Sequence, residues 1–170
     1  MKKELSDLKE RIDSELHSIQ QTAQRVLDAW DGAERLPDQQ SYYLDSVALN
    51  LHSFYSGLER IFSIIARHLD PVFPSGPYWH RELLNQMARE IPETRPAILS
   101  PGTTALLDDF LAFRHLIRSL YAFDLDAERL EQLVRRLPEA LSHARQDLEN
   151  FCRLLSIAAG QDGTEAPDAL

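Results

Sequence analysis

The sequence predicts an all-α protein, an up-and-down bundle of four long helices with one shorter helix inserted after the second. Three observations predict this fold. Apolar residues recur every three or four positions along almost the whole chain, no segment alternates with period two for long enough to form a strand, and only 6 of 170 residues are glycine. We expect a single domain over residues 1–160 and a flexible C-terminal tail over residues 161–170.

The first two helices are predicted from long apolar stripes. The stripes and the proline-rich turn after them predict, in order, a helix over residues 5–30, a helix over residues 38–68 and a turn over residues 70–77. Gly32 and Pro37 are expected to end the first helix, because both residues are unfavourable inside a helix.

The last three helices are shorter or carry clear end signals. Their predicted bounds are residues 78–90, 103–124 and 126–160. Thr103 or Thr104 is expected to cap the fourth helix, and Asp126 the fifth. Pro138 lies inside the apolar stripe of the fifth helix and is expected to kink or split it. Gly160 is expected to end that helix.

Composition and charge exclude several classes of protein. The chain has 18 lysine and arginine residues against 27 aspartate and glutamate residues, a formal net charge of −9. This balance disfavours a protein that coats nucleic acid through bulk positive charge. The single cysteine, Cys152, excludes a disulfide scaffold. No apolar run fits a signal peptide or a membrane span, so we expect a cytoplasmic protein with no membrane contact.

Metal and cofactor motifs are absent from the sequence. It has no glycine-rich phosphate loop after a strand, no cysteine pair and no His-Glu-x-x-His helix. It also lacks the Glu-x-x-His pairs of a di-iron bundle. We therefore expect no metal site and no cofactor.

One basic segment interrupts this acidic chain. Arg114, Arg118 and Tyr121 are spaced i, i+4 and i+7, so on a continuous helix they form one stripe beside the core. Two guanidiniums next to a phenol predict an anion-binding edge. The alternative is that Arg118 pairs with a carboxylate on a neighbouring helix and Tyr121 is a core aromatic.

The same segment resembles the HEPN superfamily, and specifically the HepT-like ribonuclease toxins of HEPN–MNT toxin–antitoxin modules. The family motif is an arginine, four residues, a histidine, one residue and a tyrosine. Arg114 and Tyr121 fill the first and last positions, whereas Ser119 stands where the family has its histidine. Residues 50–62 and 79–84 are also similar to HepT-like proteins, and the resemblance covers about residues 43–129.

The resemblance implies a homodimeric, metal-independent endoribonuclease with a HEPN-like fold. In this family the ribose 2′-OH of RNA attacks the adjacent phosphate, a step that needs a base, an acid and a cation. Arg114 would stabilise the phosphate. Ser119 has no basic form near pH 7, so His115 or Arg118 would assist. An MNT-type nucleotidyltransferase antitoxin would neutralise the toxin, with Tyr121 as the implied site of AMP transfer (AMPylation).

Other residues are candidates for RNA binding in the same cleft. They are His52, Tyr55 and Glu59 on the second helix and His80 and Arg81 at the start of the short helix. An anion at that helix start would also interact with the helix dipole. The alternatives are a plain polar edge for the second helix and a capping or packing role for His80.

Two other functions remain open. Ser119 favours a catalytically degenerate HEPN protein that binds RNA or acts as a partner-binding subunit, and the third option is an unrelated helical adaptor. Residues 113–122 contain no acid. We therefore expect acidic outer helix faces around a small basic cleft that binds one or two phosphates.

Overall fold

Five α-helices and one short 3₁₀ turn make up the described chain. The computed structural model describes residues 2–119 and 124–160. In chain order the elements are α1 (Lys2–Arg35), the 3₁₀ turn (Pro37–Gln39), α2 (Gln40–Leu69), α3 (Trp79–Met87), α4 (Pro101–Ile117) and α5 (Ala127–Ala159). Within these residues there is no strand, and none of the helices is both long and apolar enough to cross a membrane. The predicted all-α bundle with a short third helix is confirmed.

One hydrophobic core connects the helices. The helix α1 packs against α2 and α5, α4 packs against the same two helices, and α3 lies against α2 and α4. The predicted apolar stripes supply this core. Fully buried members include Ile12, Leu51, Phe62, Phe110 and Leu148. Burial of these stripes, rather than intrinsic helix propensity, accounts for most of the stability of such long helices.

The end of α1 differs from the prediction. Gly32 does not terminate the helix, which continues to Arg35. This glycine is a packing residue rather than a stop signal, because the ring of Tyr43 from α2 occupies the space that a Cβ atom at Gly32 would need. Gly57 plays the same role on α2, where an added Cβ would lie 2.6 Å from Cγ1 of Ile19. Both glycines therefore allow α1 and α2 to approach closely.

Both predicted ends of α4 are wrong. Ser100 is the N-cap, and its Oγ accepts a hydrogen bond from the Thr103 backbone N–H at 3.2 Å. Thr103 is buried and donates its own hydroxyl to Asp147 Oδ2 at 2.6 Å. The helix ends at Ile117 rather than near residue 124, so Arg114, Arg118 and Tyr121 do not share one described helix. Tyr121 lies outside the described residues.

The ends of α5 follow the prediction, and of the two outcomes predicted for Pro138, a kink or a split, the split does not occur. Oδ1 of the N-cap Asp126 accepts the backbone N–H groups of Glu128 and Arg129, and Gly160 adopts the left-handed conformation at the C-cap (φ 71°). The helix runs through Pro138 without a break, so it is not split. The flanking residues on the core side, Leu137 and Ala140, are fully buried, and their packing holds the helix together across the missing hydrogen bond. The predicted tail, residues 161–170, lies outside the described residues.

A buried ion pair fixes the ends of α2 and α3 to each other. Asp70, just after α2, accepts hydrogen bonds from Nε and Nη2 of Arg95 at 2.6 and 2.7 Å. Both side chains are at least 98% buried. Arg95 also donates to the backbone carbonyls of Gln86 and Arg89 near the end of α3. The bidentate pair and these carbonyl bonds leave little freedom for α3 to move along α2.

Candidate functional site

Three polar side chains from three different helices meet inside the bundle. Glu59 of α2 lies between His80 of α3 and Arg114 of α4. Glu59 Oε2 is 2.6 Å from His80 Nδ1, and Glu59 Oε1 is 3.2 Å from Arg114 Nη2. Arg114 Nη1 is 3.4 Å from His80 Nε2. We refer to these residues as the Glu59–His80–Arg114 triad.

The partners of the triad determine the tautomer of His80. Arg114 can only donate hydrogen bonds, so His80 Nε2 must accept, and the ring proton must lie on Nδ1. Nδ1–H then donates to the Glu59 carboxylate. The side chains are 9% exposed for Glu59 and His80 and 11% exposed for Arg114. A carboxylate and a guanidinium buried to this extent need each other, because either charge alone would lack compensation.

Aromatic rings surround His80. The Trp79 ring packs against it with centroids 3.6 Å apart and planes tilted by 33°, and His115 of α4 meets it edge-on at 5.4 Å. His80 does not cap α3, since the N-cap is Tyr78 and no side chain caps that end. The alternative of a capping role is therefore wrong, whereas packing against Trp79 is observed. His115, whose ring lies next to His80, is exposed.

The two histidines near Arg114 are biased toward their neutral forms. Burial lowers the pKa of His115 below its usual value, and the neighbouring His80 and Arg114 lower it further. Burial also lowers the pKa of His52 on α2, where Arg114 and Arg118 add to the effect. At neutral pH both imidazoles can therefore accept a proton.

Tyr55 is fully buried rather than open to a ligand. Its exposure is 0%, and its hydroxyl has no hydrogen-bond partner among the described residues. Burial raises the pKa of the phenol, and the nearby Glu59 carboxylate raises it further, so it stays protonated at neutral pH. The Nε of Arg114 is likewise buried without a partner within the described chain. The structure thus brings Tyr55 to the interior beside the triad.

The remaining predicted site residues lie at the surface. Ser119 follows the end of α4, and its Oγ donates to the Leu116 carbonyl at 2.9 Å. Arg118 is the exposed C-cap residue of α4. Arg81 forms an ion pair with Asp108, about half exposed on both sides. None of these three side chains joins the triad.

The prediction from sequence did not include the buried charge pair that Glu59 forms with Arg114. Residues 113–122 carry no acid, and this predicted an uncompensated basic cleft. The fold instead brings the Glu59 carboxylate from α2 to Arg114. One feature of the sequence could have indicated this pair: Glu59 lies in the apolar part of α2, between Leu58 and Ile61. A carboxylate that is buried there requires a cationic or hydrogen-bond-donating partner. Over residues 2–119 and 124–160, no group of His, Cys, Asp or Glu side chains is arranged to hold a metal ion.

Comparison with known proteins identifies one family. A family model described as HepT-like protein matches residues 46–155, about two thirds of the chain. The matched region contains the whole triad together with His52 and His115. Neither the curated proteins nor the solved structures yielded a match.

Proposed function

The chain belongs to the HepT-like family, and from this premise we propose that it is a metal-independent endoribonuclease that cleaves RNA through attack of the ribose 2′-OH. The observation that carries the proposal is the arrangement around Arg114. This arginine fills the motif position, is held by Glu59 and His80, and precedes the exposed His115. A fixed guanidinium beside a neutral imidazole suits charge stabilisation next to proton abstraction.

The reaction requires one proton to leave the 2′-OH and another to reach the leaving group. His115 takes the 2′-OH proton, and the 2′-oxygen forms a bond to phosphorus. The bond between phosphorus and the 5′-oxygen breaks, which gives a 2′,3′-cyclic phosphate and a 5′-hydroxyl. The protonated His115 of a second protomer in a homodimer donates the proton to the 5′-oxygen, and exchange with water resets both rings. Arg114 stabilises the charge that develops on the phosphorane oxygens.

Glu59 and His80 act as positioning residues in this proposal. Each holds one terminal nitrogen of Arg114, so the guanidinium keeps one orientation. One N–H on each terminal nitrogen remains for a phosphate oxygen. Fixing a cation before the substrate arrives avoids reorganisation during the reaction. This role is supported by the burial of both positioning side chains.

Regulation by a partner follows the same family relationship. We propose an MNT-type nucleotidyltransferase antitoxin as the partner, and Tyr121 as the residue to which it transfers AMP. The added phosphates would bring negative charge and bulk to a position seven residues after Arg114 in the motif, where they would compete with RNA. Mass spectrometry of the chain co-expressed with such a partner tests this, and an unmodified Tyr121 in a fully inhibited complex would contradict it.

The ribonuclease proposal is tested by cleavage of single-stranded RNA in the presence of EDTA. We expect a 2′,3′-cyclic phosphate product and no cleavage of the same sequence as DNA. Arg114→Ala is expected to lower kcat by a factor of about 10²–10³, the loss typical of a removed electrostatic donor. Arg114→Lys keeps the charge but cannot contact Glu59 and His80 together, so its kcat should fall between those of the wild type and Arg114→Ala.

The matched control is Arg135→Ala on α5. Arg135 is 77% exposed and pairs only with Glu131 one turn earlier, among the ion pairs of the described residues. Its removal changes the net charge by the same amount as Arg114→Ala and should leave cleavage unchanged. Full activity of a folded Arg114→Ala protein would exclude the proposed mechanism.

A second candidate function is a catalytically degenerate HEPN protein that binds RNA or a protein partner. Two observations favour it: Ser119 occupies the motif histidine position with its hydroxyl bonded to Leu116, and the triad is about nine-tenths buried. Ser119→His separates the two candidates. Cleavage that appears only in this variant would identify the natural chain as the degenerate form, whereas cleavage by the wild type supports the ribonuclease.

A further inference from the structure

A groove of about 470 Å³ lies beside the triad, and we call it the arginine groove. Its walls carry Arg11 of α1, Arg60 and Arg67 of α2, and Trp79 of α3. Glu59 also lines it, so the groove and the triad share a wall. The volume lies within the range of small-molecule sites, roughly 300–1,000 Å³. The groove is thus large enough for one nucleotide.

The arginine groove is positive although the chain as a whole carries a net charge of −9. Arg60 Nε lies 3.2 Å from Glu15 Oε2 and is neutralised there. Glu59 is already bound by the triad. Among the residues that the structure describes, neither Arg11 nor Arg67 forms an ion pair with a carboxylate, and both are exposed. These two guanidiniums are the uncompensated cations of the groove.

Both guanidiniums are held in place while donors remain available. Arg11 Nη1 lies 3.4 Å from His68 Nε2, and His68 Nδ1 in turn donates to the Ile64 carbonyl at 2.8 Å. The guanidinium of Arg67 lies 3.8 Å from the centroid of the Phe73 ring. A cation–π contact uses the face of the guanidinium and leaves its N–H donors at the edge. These donors are the groups that bind phosphate most effectively.

Trp79 provides an aromatic wall between these cations and the triad. Its ring packs at a tilt against His80, with centroids 3.6 Å apart, and lies 6.0 Å from the Phe73 ring. Aromatic side chains beside basic residues are the usual elements of sites for single-stranded nucleic acid, since every base has a face that can stack. The groove therefore combines a phosphate-binding part with a base-binding part.

We propose that the arginine groove binds a nucleotide of single-stranded RNA next to the scissile phosphate, with its phosphate at Arg11 and Arg67 and its base against Trp79. This proposal rests on the proposed ribonuclease function. Glu59 lines the groove and also contacts Arg114, so it connects the groove to the proposed catalytic arginine. Arg11 lies before residue 46, where the family match begins. The groove therefore adds substrate contacts from a part of the chain outside the matched region.

A purely structural role makes a different prediction. The contacts of Arg11 with His68 and of Arg60 with Glu15 connect α1 to α2. If the arginines only join these helices, their removal changes thermal unfolding and leaves RNA affinity unchanged. Exposed contacts of this kind contribute little to stability. The test therefore measures RNA binding and thermal unfolding on the same variants.

The probe is a fluorescein-labelled single-stranded oligoribonucleotide made uncleavable by 2′-O-methyl groups, and binding is followed by fluorescence anisotropy at several salt concentrations. Arg11→Gln/Arg67→Gln is expected to raise Kd at least tenfold. The slope of log K against log salt should become shallower by about 0.7 for each phosphate that the variant no longer neutralises. The control is Arg135→Gln/Arg145→Gln, which removes two charges from exposed pairs on α5.

The outcomes separate this proposal from the ribonuclease proposal. If RNA binding depends on Arg11 and Arg67 but the wild-type chain cleaves no RNA, the groove is supported as an RNA-binding site and the ribonuclease proposal is rejected. Cleavage by the wild type, with equal RNA binding by the groove variant and the control, would reject the groove alone. No binding of the probe by the wild type would also reject the groove. Arg67→Lys retains the charge. Wherever the groove binds RNA, this variant should bind more tightly than a variant with glutamine at position 67.

Discussion

Glu59 Oε2 and His80 Nδ1, 21 positions apart in the chain, share a buried hydrogen bond of 2.6 Å. The bond joins α2 to α3, and the other oxygen of the same carboxylate joins α2 to α4 through Arg114. A single carboxylate therefore connects three helices at the point where the family motif begins. Its two oxygens set both the tautomer of His80 and the orientation of Arg114, so function and stability depend on the same contacts.

Removal of the Glu59 charge should destabilise the fold. Glu59→Gln leaves the buried Arg114 guanidinium without a counter-ion, and the expected loss of unfolding free energy is about 3 kcal/mol. Arg114→Met alone should cost a similar amount, because it leaves the carboxylate unpaired. Urea unfolding of both single variants and of the double variant measures the coupling. We expect the double variant to be less destabilised than the sum of the singles, and additive losses would show that the pair does not interact.

His80 should act through Arg114 rather than as the base. His80→Ala removes one of the two groups that hold the guanidinium, and we expect kcat for RNA to fall about 100-fold with little change in KM. In His80→Asn the amide N–H can still donate to Glu59 and so hold the carboxylate that contacts Arg114, and part of this loss should be recovered. Single-turnover cleavage measures both. If His80 were itself the base, the two variants would be equally inactive, because an amide cannot take a proton.

The prediction from sequence succeeded where local pattern decides and failed where distant residues meet. The apolar stripes predicted all five helices of the described residues, because burial of one helix face follows a 3.6-residue period. The interior glycine Gly32 was misinterpreted as a stop signal, since only the position of Tyr43 shows why a side chain is excluded there. Motif spacing selected Arg114, but no local pattern could show that Glu59 and His80 reach it from two other helices.

Acidification should destabilise the protein before the carboxylates titrate. The folded-state pKa values of His52 and His115 lie below 6.5, chiefly because of burial. At pH values between those pKa values and 6.5, the unfolded chain binds more protons than the folded one. The contribution of these two histidines to stability is therefore fully present above pH 6.5 and is lost as the pH decreases through this window. Urea unfolding between about pH 7 and pH 5.5 measures the effect. His52→Gln/His115→Gln should flatten the profile over this range, and an unchanged slope would assign it to other groups.

The close approach of α1 and α2 should tolerate no side chain at position 57. A Cβ in Gly57→Ala would lie 2.6 Å from Cγ1 of the buried Ile19, so the Ile19 side chain or one of the two helices must shift. The expected cost is about 1–3 kcal/mol, the range for overpacked cores, despite the better helix propensity of alanine. Gly102→Ala is the matched control, because the nearest atom to its Cβ is Ser100 Oγ at 4.0 Å, and it should be neutral or slightly stabilising. Thermal unfolding of the two variants compares them directly. Equal melting temperatures would mean that Ile19 adjusts without cost and that the helix spacing is not set by this glycine.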